Sequence, residues 1–253
     1  MISKAKIKYI RSLELKKNRT AEGLFVAEGP KVVGDLMPTM HLRYVVATES
    51  WLKANQTKIP AEVEMFDVTE EELRKVSYLQ TPQEVLAVFE IPGSNASSAA
   101  EFPKEKLSLA LDGVQNPGNL GTIIRIADWF GIENIYCSQD TADAYNPKVV
   151  QATMGSIARV NIIYTDITKL LTSLPADYPV YGTLLDGENI YAKELSKHGI
   201  IVMGNEGNGI SQEVRKHVNN RLLIPNFATA ADKAESLNVA IATAITCSEF
   251  RRR

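Results

Sequence analysis

Cysteine is scarce: the 253 residues hold two, Cys137 and Cys247, each inside an otherwise apolar segment. A disulfide framework is therefore excluded, and reduced, buried thiols in a cytoplasmic protein are expected. No apolar run approaches the roughly 18 residues of a membrane span, and the N-terminus MISKAKIKYIRSLELKK lacks the apolar stretch of a signal peptide. A surplus of basic charge is missing too. Lys and Arg number 28 against 30 Asp and Glu, a net charge of −2, which argues mildly against nucleic acid because phosphates are usually met by Lys and Arg. Also absent are a G-x-G-x-x-G in Rossmann spacing and the G-K-[ST] of a phosphate loop. Neither a dinucleotide nor a triphosphate is supported, so a nucleotide-dependent oxidoreductase fails on motif spacing. No metal-ligand set is indicated.

Distribution qualifies the charge balance. Residues 1–20 carry Lys4, Lys6, Lys8, Arg11, Lys16, Lys17 and Arg19 against the single acid Glu14. They sit on a helix expected from about Lys4 to Lys17, which is either a solvated face or an RNA-binding one. The first ninety residues then alternate strand-like and helix-like pieces. Strands are expected at Gly23–Ala27, Tyr44–Ala47, Val63–Phe66 and Val85–Phe89. Helices are expected at Pro30–Leu36 and Thr69–Leu79, the second opened by a capping box of Thr69 and Glu72. PGSNASSAAEFPK, residues 92–104, is poor in large apolar residues and reads as an interdomain linker, dividing a domain at 1–91 from one at 105–253.

The second domain repeats strand and helix. Strands are expected at Leu107–Leu111, Asn134–Cys137, Val160–Tyr164 and Val180–Leu184, and helices at Pro147–Ile157 and Ile167–Leu174. That alternation predicts a mostly parallel sheet with helices on both faces, in which ligands bind beyond the carboxyl ends of the strands. Three loops leave such ends. The first lies in LSLALDGVQNPGNLGTIIRIADWFG, residues 107–131, where the following helix opens near Asn119 and buries Leu120, Ile123, Ile124, Ala127 and Phe130, leaving Arg125 outward. The second is the glycine-rich turn of IIVMGNEGNGI, residues 200–210, with one acid, Glu206. The third lies in RLLIPNFATAADKAESLNVAIATAI, residues 221–245, ahead of a helix expected from Ser236 to Phe250. Each polar residue here has a structural reading: Asn119 and Ser236 as helix caps, Asn238 as a turn former, Glu206 and Arg125 as solvated charges, the glycines as a tight turn.

Taken together and in this order, the three stretches resemble the motifs of the SpoU (TrmH-like) family of S-adenosylmethionine-dependent RNA ribose 2′-O-methyltransferases, of the SPOUT superfamily. The wording RTAEGLFVAEGPKVV and TPQEVLAVFE resembles the substrate-binding domain often fused to them, an α/β unit like ribosomal L30-type RNA-binding proteins. The resemblance implies a deep trefoil knot in the C-terminal domain and a homodimer formed through it, with Leu237, Ala240, Ile241, Ala244 and Ile245 on one face of the last helix. It implies catalytic roles for Asn119, Arg125, Glu206, Ser236 and Asn238. The S-adenosylmethionine site would be lined by Thr183, Leu184, Gly204, Asn205, Gly207, Ile224, Pro225 and Leu237. RNA contacts would come from Lys4, Lys8, Arg11, Lys16 and Arg19, and the fused domain favours ribosomal over transfer RNA. A tRNA 2′-O-methyltransferase and a catalytically silent RNA-binding relative are the alternatives.

A guanidinium is in effect permanently protonated, so Arg125 is expected to hold the ribose or its phosphate and stabilise developing negative charge, oriented by Glu206 and Asn119, rather than to act as a base. The sequence departs from the family between Pro225 and Ser236. Ten residues, NFATAADKAE, make a longer loop there, and Asn226 follows Ile224-Pro225 where a Met is usual. This puts the positioning of Ser236 in question, not the cofactor class.

Overall fold

A computed structural model of the chain describes residues 2–93, 105–228 and 236–252. These divide into two units: Met1–Ser94 with Asp143–Ala158, and Asn95–Ala142 with Arg159–Arg253. The expected linker lies, from residue 94 on, outside the described residues, as do positions 229–235 of the long loop.

The first unit opens with α1 (Lys4–Ser12), capped by Ser3, whose side chain accepts the Lys6 amide. The single helix expected as far as Lys17 is two. The chain turns at Leu13–Leu15 and restarts as α2 (Lys16–Glu22), which ends on Gly23 at φ +65°. The turn has a local cause: the carbonyls of Leu13 and Glu14 accept from the Arg19 guanidinium at 2.7 and 2.6 Å. There follow β1 (Leu24–Glu28), α3 (Pro30–Leu36), β2 (Leu42–Ala47), α4 (Glu49–Asn55), β3 (Glu64–Asp67), α5 (Glu70–Val76) and β4 (Val85–Glu90). The sheet order is β1-β4-β2-β3, antiparallel except for the parallel pair β2/β3. The expected capping box is present, with Thr69 Oγ1 accepting the Glu72 amide and a Glu72 carboxylate oxygen accepting the Thr69 amide. One face of this sheet is covered by α1 and α5 through Ile10, Leu13, Leu73 and Val76 on Val26, Val46, Leu86 and Val88.

The second unit begins with β5 (Leu107–Asp112), α6 (Pro117–Trp129) and β6 (Asn134–Cys137). Then α7 (Pro147–Ala152) departs from expectation. Read from sequence order as part of the second domain, the segment Asp143–Ala158 belongs instead to the first unit. There α7 packs on β1, and the Tyr145 ring meets Phe25 at a centroid distance of 4.9 Å. The physical reason is apolar: β1 is buried along its whole length, and the aromatic and aliphatic side chains of Tyr145, Val149 and Val150 help cover its second face.

The chain continues as β7 (Asn161–Tyr164), α8 (Ile167–Thr172), β8 (Val180–Asn189), β9 (Gly199–Gly204), α9 (Gln212–Arg215), β10 (Asn220–Leu223) and α10 (Val239–Arg252). The six strands lie in the order β10-β8-β9-β5-β6-β7 with every ladder parallel, as the alternation predicted. Helices α8 and α9 cover the face of Val180, Ile200 and Val202. On the other face Phe250 of α10 meets Tyr181 edge-on, and α10 packs beside α6. Both cysteines are free and buried. Burial raises both thiols, Cys247 to about 12, so neither is a nucleophile at neutral pH. Among the described residues no helix is long and apolar enough to cross a membrane.

Candidate active site

Because the ladders are parallel, the loops after β5, β9 and β10 leave the same edge of the sheet, and those after β5 and β9 start side by side, Asp112 opposite Gly204. The β5 loop is ordered by Asn116, the N-cap of α6. Its side-chain oxygen accepts the amides of Gly118 and Asn119 at 2.8 and 3.2 Å, with Pro117 at the first helical position, where no amide hydrogen is needed. The helix thus opens before Asn119, not at it. That difference matters chemically: Asn119 is released from capping.

The β9 loop is a closed turn. Asn205 and Gly209 exchange backbone hydrogen bonds, both 2.9 Å. A Cβ on Gly204 would stand 2.2 Å from the Gly209 carbonyl carbon, so only glycine fits. The Asn205 side chain accepts the amides of Gly207 and Asn208 and donates to the Gly113 carbonyl at 2.7 Å, fastening this turn to the β5 loop. Asp112 adds a second tie by accepting the Ser211 amide at 2.7 Å.

These ties present Glu206. Its carboxylate accepts the amides of Gln115 and Asn116 at 3.3 and 3.1 Å and the Asn119 side-chain amide at 3.0 Å. Partial burial works to raise its pKa, but the hydrogen bonds from Asn119 and from the backbone prevail and the net shift is downward. Glu206 is accordingly an anion at neutral pH. On the far side, Asn119 accepts from the Asn238 side chain at 2.9 Å, while the Asn238 oxygen caps α10 by accepting the amides of Ala240 at 2.9 Å and Ile241 at 3.3 Å. One hydrogen-bonded chain, Asn238 to Asn119 to Glu206, therefore joins all three loops.

Ser236 and Arg125 stand outside this chain. The helix expected from Ser236 begins at Val239, so Asn238 takes the capping role assigned to Ser236, which is exposed. Arg125 is exposed on α6, and no hydrogen bond or ion pair joins it to another described residue. The expectation that Glu206 and Asn119 orient Arg125 is corrected. Both carboxylate oxygens of Glu206 are engaged elsewhere, and six residues of helix carry Arg125 about 9 Å along the axis and about 120° round it from Asn119.

Of the expected cofactor residues, Gly204, Asn205 and Gly207 form the β9 turn, Ile224 and Pro225 follow β10, and Leu237 stands half-exposed before α10. Thr183 and Leu184 lie within β8, where its ladder with β10 is interrupted. Asn116 and the Asn205 side chain were not among the expected residues. The Asn-Pro pair 116–117 was the available signal, being the signature of a cap followed by a helix start.

The expected RNA residues divide. Lys4, Lys8 and Lys16 are exposed on α1 and α2. Arg11 is partly committed, donating to the carbonyl of Ser77 at 2.8 Å and that of Lys75 at 3.4 Å. Arg19 is a correction. It is 2% exposed, donates to two carbonyls and pairs with Asp143 at 2.5 Å, so it holds the first unit together and cannot reach a phosphate.

Comparison with known proteins agrees with this arrangement. Residues 4–87 match the MRM3-like substrate binding domain. A 23S rRNA (guanosine(2553)-2′-O)-methyltransferase, RlmP of Bacillus subtilis, is 30% identical over 252 residues, spanning 97% of this chain and 96% of its own. A structure from Porphyromonas gingivalis, assigned to the TrmH family of RNA methyltransferases, superposes with a TM-score of 0.89 at 42% identity, covering 100% of this chain and 99% of its own. An AdoMet-bound rRNA methyltransferase from Sinorhizobium meliloti superposes at 0.86 with 31% identity, covering 100% and 96%. With residues 106–248, the stretch that contains the three joined loops, matching its family description, the chain belongs to the SpoU rRNA methylase family.

Proposed function

We propose that this protein transfers a methyl group from S-adenosylmethionine to a ribose 2′-hydroxyl of structured RNA, ribosomal RNA in particular, as a cytoplasmic enzyme. The observation that carries the reading is the chain Asn238–Asn119–Glu206, which draws one polar side chain from each of the three loops into one place. The names of the relatives, a 2′-O-methyltransferase of 23S rRNA and an AdoMet-bound rRNA methyltransferase, support it.

The loops suit the cofactor. Backbone groups at Thr183, Leu184, Gly204, Asn205, Gly207, Ile224, Pro225 and Leu237 would hold its adenosine, because glycines and loop amides offer the close, flat approach that a purine requires. When bound it supplies a methyl group on a cationic sulfur. The protein's own part is positioning. Asn119 and Asn238, locked by their mutual bond, can fix the ribose, and Glu206 keeps Asn119 in a single amide orientation. Arg125, a permanent cation without a described partner, is free to hold the ribose-phosphate and stabilise the developing alkoxide. Lys4, Lys8 and Lys16 would track RNA phosphates from the first unit.

A homodimer is part of the same reading. Leu237 and Ile241 of the second unit are 50% and 52% exposed, in line with the half-buried Ala244 and Ile245, and Trp129 of the adjacent helix α6 is 85% exposed. A stripe of this kind on packed helices is suited to a second copy. Ala240, expected on the stripe, is buried in the unit's own core. The test of the whole reading is ribose-methylation mapping of total RNA with and without the gene, joined to calorimetry with S-adenosylmethionine. One lost 2′-O-methyl site in ribosomal RNA and saturable cofactor binding are expected, and a complete RNA map with no cofactor binding refutes it.

A further inference from the structure

The ladder between β8 and β10 contains an anomaly. Arg221 pairs with Gly182, yet the next residue of β10, Leu222, pairs with Glu188, so five residues of β8, Thr183 to Gly187, make an excursion from the ladder register between two consecutive residues of its neighbour. Each is accounted for. Thr183 donates to the sulfur of buried Met203 at 3.7 Å, and Leu184 packs on the core below. Leu185 projects outward, 80% exposed. Gly187 passes so close to β10 that a Cβ would stand 2.5 Å from the carbonyl carbon of Leu222.

Between them, Asp186 is held by two arginines on one carboxylate oxygen, Arg215 at 2.5 Å from the end of α9 and Arg221 at 2.8 Å from β10. Single exposed ion pairs contribute little stability. This one has another property: its arms come from the two elements that flank the excursion, so it fixes where the excursion sits rather than how stable the sheet is.

We infer that Asp186 is a positioning residue for the cofactor, clamping the β8 excursion so that the backbone of Thr183 and Leu184 is set before S-adenosylmethionine arrives. The inference rests on the functional reading above. A clamp that pre-orders five residues removes part of the ordering cost of binding, so its loss raises the dissociation constant about tenfold.

Charge gives the discriminating test. Asp186→Asn removes an anion from near the site, whereas the double variant Arg215→Gln/Arg221→Gln removes two cations. A clamp predicts that both weaken S-adenosylmethionine binding in calorimetry and weaken its neutral-sulfur product equally, with Asp186→Glu retaining part of the affinity. Amide hydrogen exchange at 183–187 in the ligand-free protein should quicken in the Asn and Gln variants, a readout that needs neither ligand nor turnover. Shifts of opposite sign in the two variants would reduce Asp186 to a local charge effect. Affinities within twofold of the parent with unchanged exchange would remove it altogether. A parent protein that binds no S-adenosylmethionine refutes the functional reading itself, whereas a parent that binds beside unaffected variants refutes only the clamp.

Discussion

Two polar networks, one in each unit, join residues far apart in sequence, and they differ in what they leave unused. In the first unit Arg19 spends its guanidinium on two carbonyls and Asp143 and is 2% exposed. In the second, Glu206, Asn119 and Asn238 are joined by bonds of 3.0 and 2.9 Å but stay open to solvent at the ends of parallel strands, and the helix that bears Asn119 also carries Arg125, which has no partner among the described residues. Saturation with burial marks a network whose product is the fold. Order with exposure marks one whose product is a surface prepared for something else.

The largest expected effect breaks the first network alone. Arg19→Ala empties a site that is 2% exposed, strips two carbonyls of their donor and leaves the partly buried Asp143 carboxylate without its cation, and should cost the first unit about 3 kcal/mol. In a Trp129→Phe background, Trp51 is the sole tryptophan and is 5% exposed in the first unit, so its fluorescence during urea unfolding reads that loss directly. An unchanged midpoint would erase the distinction between the networks. Next, Arg125→Ala should leave both units as stable as before while slowing single-turnover methyl transfer by roughly 10²-fold, as removal of one charge-stabilising donor does. Arg125→Lys keeps measurable activity. A Lys variant whose rate reaches its plateau at a lower pH than the parent would mean that residue 125 gives up a proton.

A smaller effect sharpens the contrast within the N-terminal basic run. Replacing Lys4, Lys8 and Lys16 with Ala should flatten the salt dependence of RNA binding by about one unit of log–log slope for each phosphate no longer neutralised. Cofactor affinity should stay the same, and an identical slope would make these lysines a solvated face. The smallest effect is Glu206's own contribution to stability. Its pKa is depressed in the folded state, so the contribution is full above the unfolded carboxyl value of about 4.3 and is lost as pH falls through the lower folded value. Glu206→Gln should remove that component from the acid limb of the stability profile, and a superimposable limb would show that its hydrogen bonds favour neither protonation state.

What could be read from sequence follows the range of the forces involved. The Thr69–Glu72 capping box was legible because its atoms lie within one helical turn, and the parallel sheet because its buried strands are written as short apolar runs. The three loops were legible as motifs. Arg19 was not, since among six other basic residues it reads as part of a charged face, and it is turned inward by two carbonyls of a turn that the periodicity did not show and by an aspartate 124 positions downstream. Asn119 was half legible. Its importance showed, but the cap lay three residues earlier, at Asn116, and the sequence alone assigned capping to Asn119 and Ser236 where the fold uses Asn116 and Asn238. The segment Asp143–Ala158 was misplaced for a related reason: alternation tells which elements come next, not which sheet they cover.

That misplaced segment has a consequence in time. The first unit is complete only when α7 and Asp143 have been made, yet its sheet and its other α-helices end with β4 at Glu90. During synthesis at about 5–20 residues per second, the fifty or so residues from there to Asp143 occupy about 3–10 s. Throughout that interval the nascent unit carries an Arg19 without its aspartate and a Phe25 without Tyr145, so its folding cannot finish before the whole β5–α6–β6 portion of the second unit has itself been made.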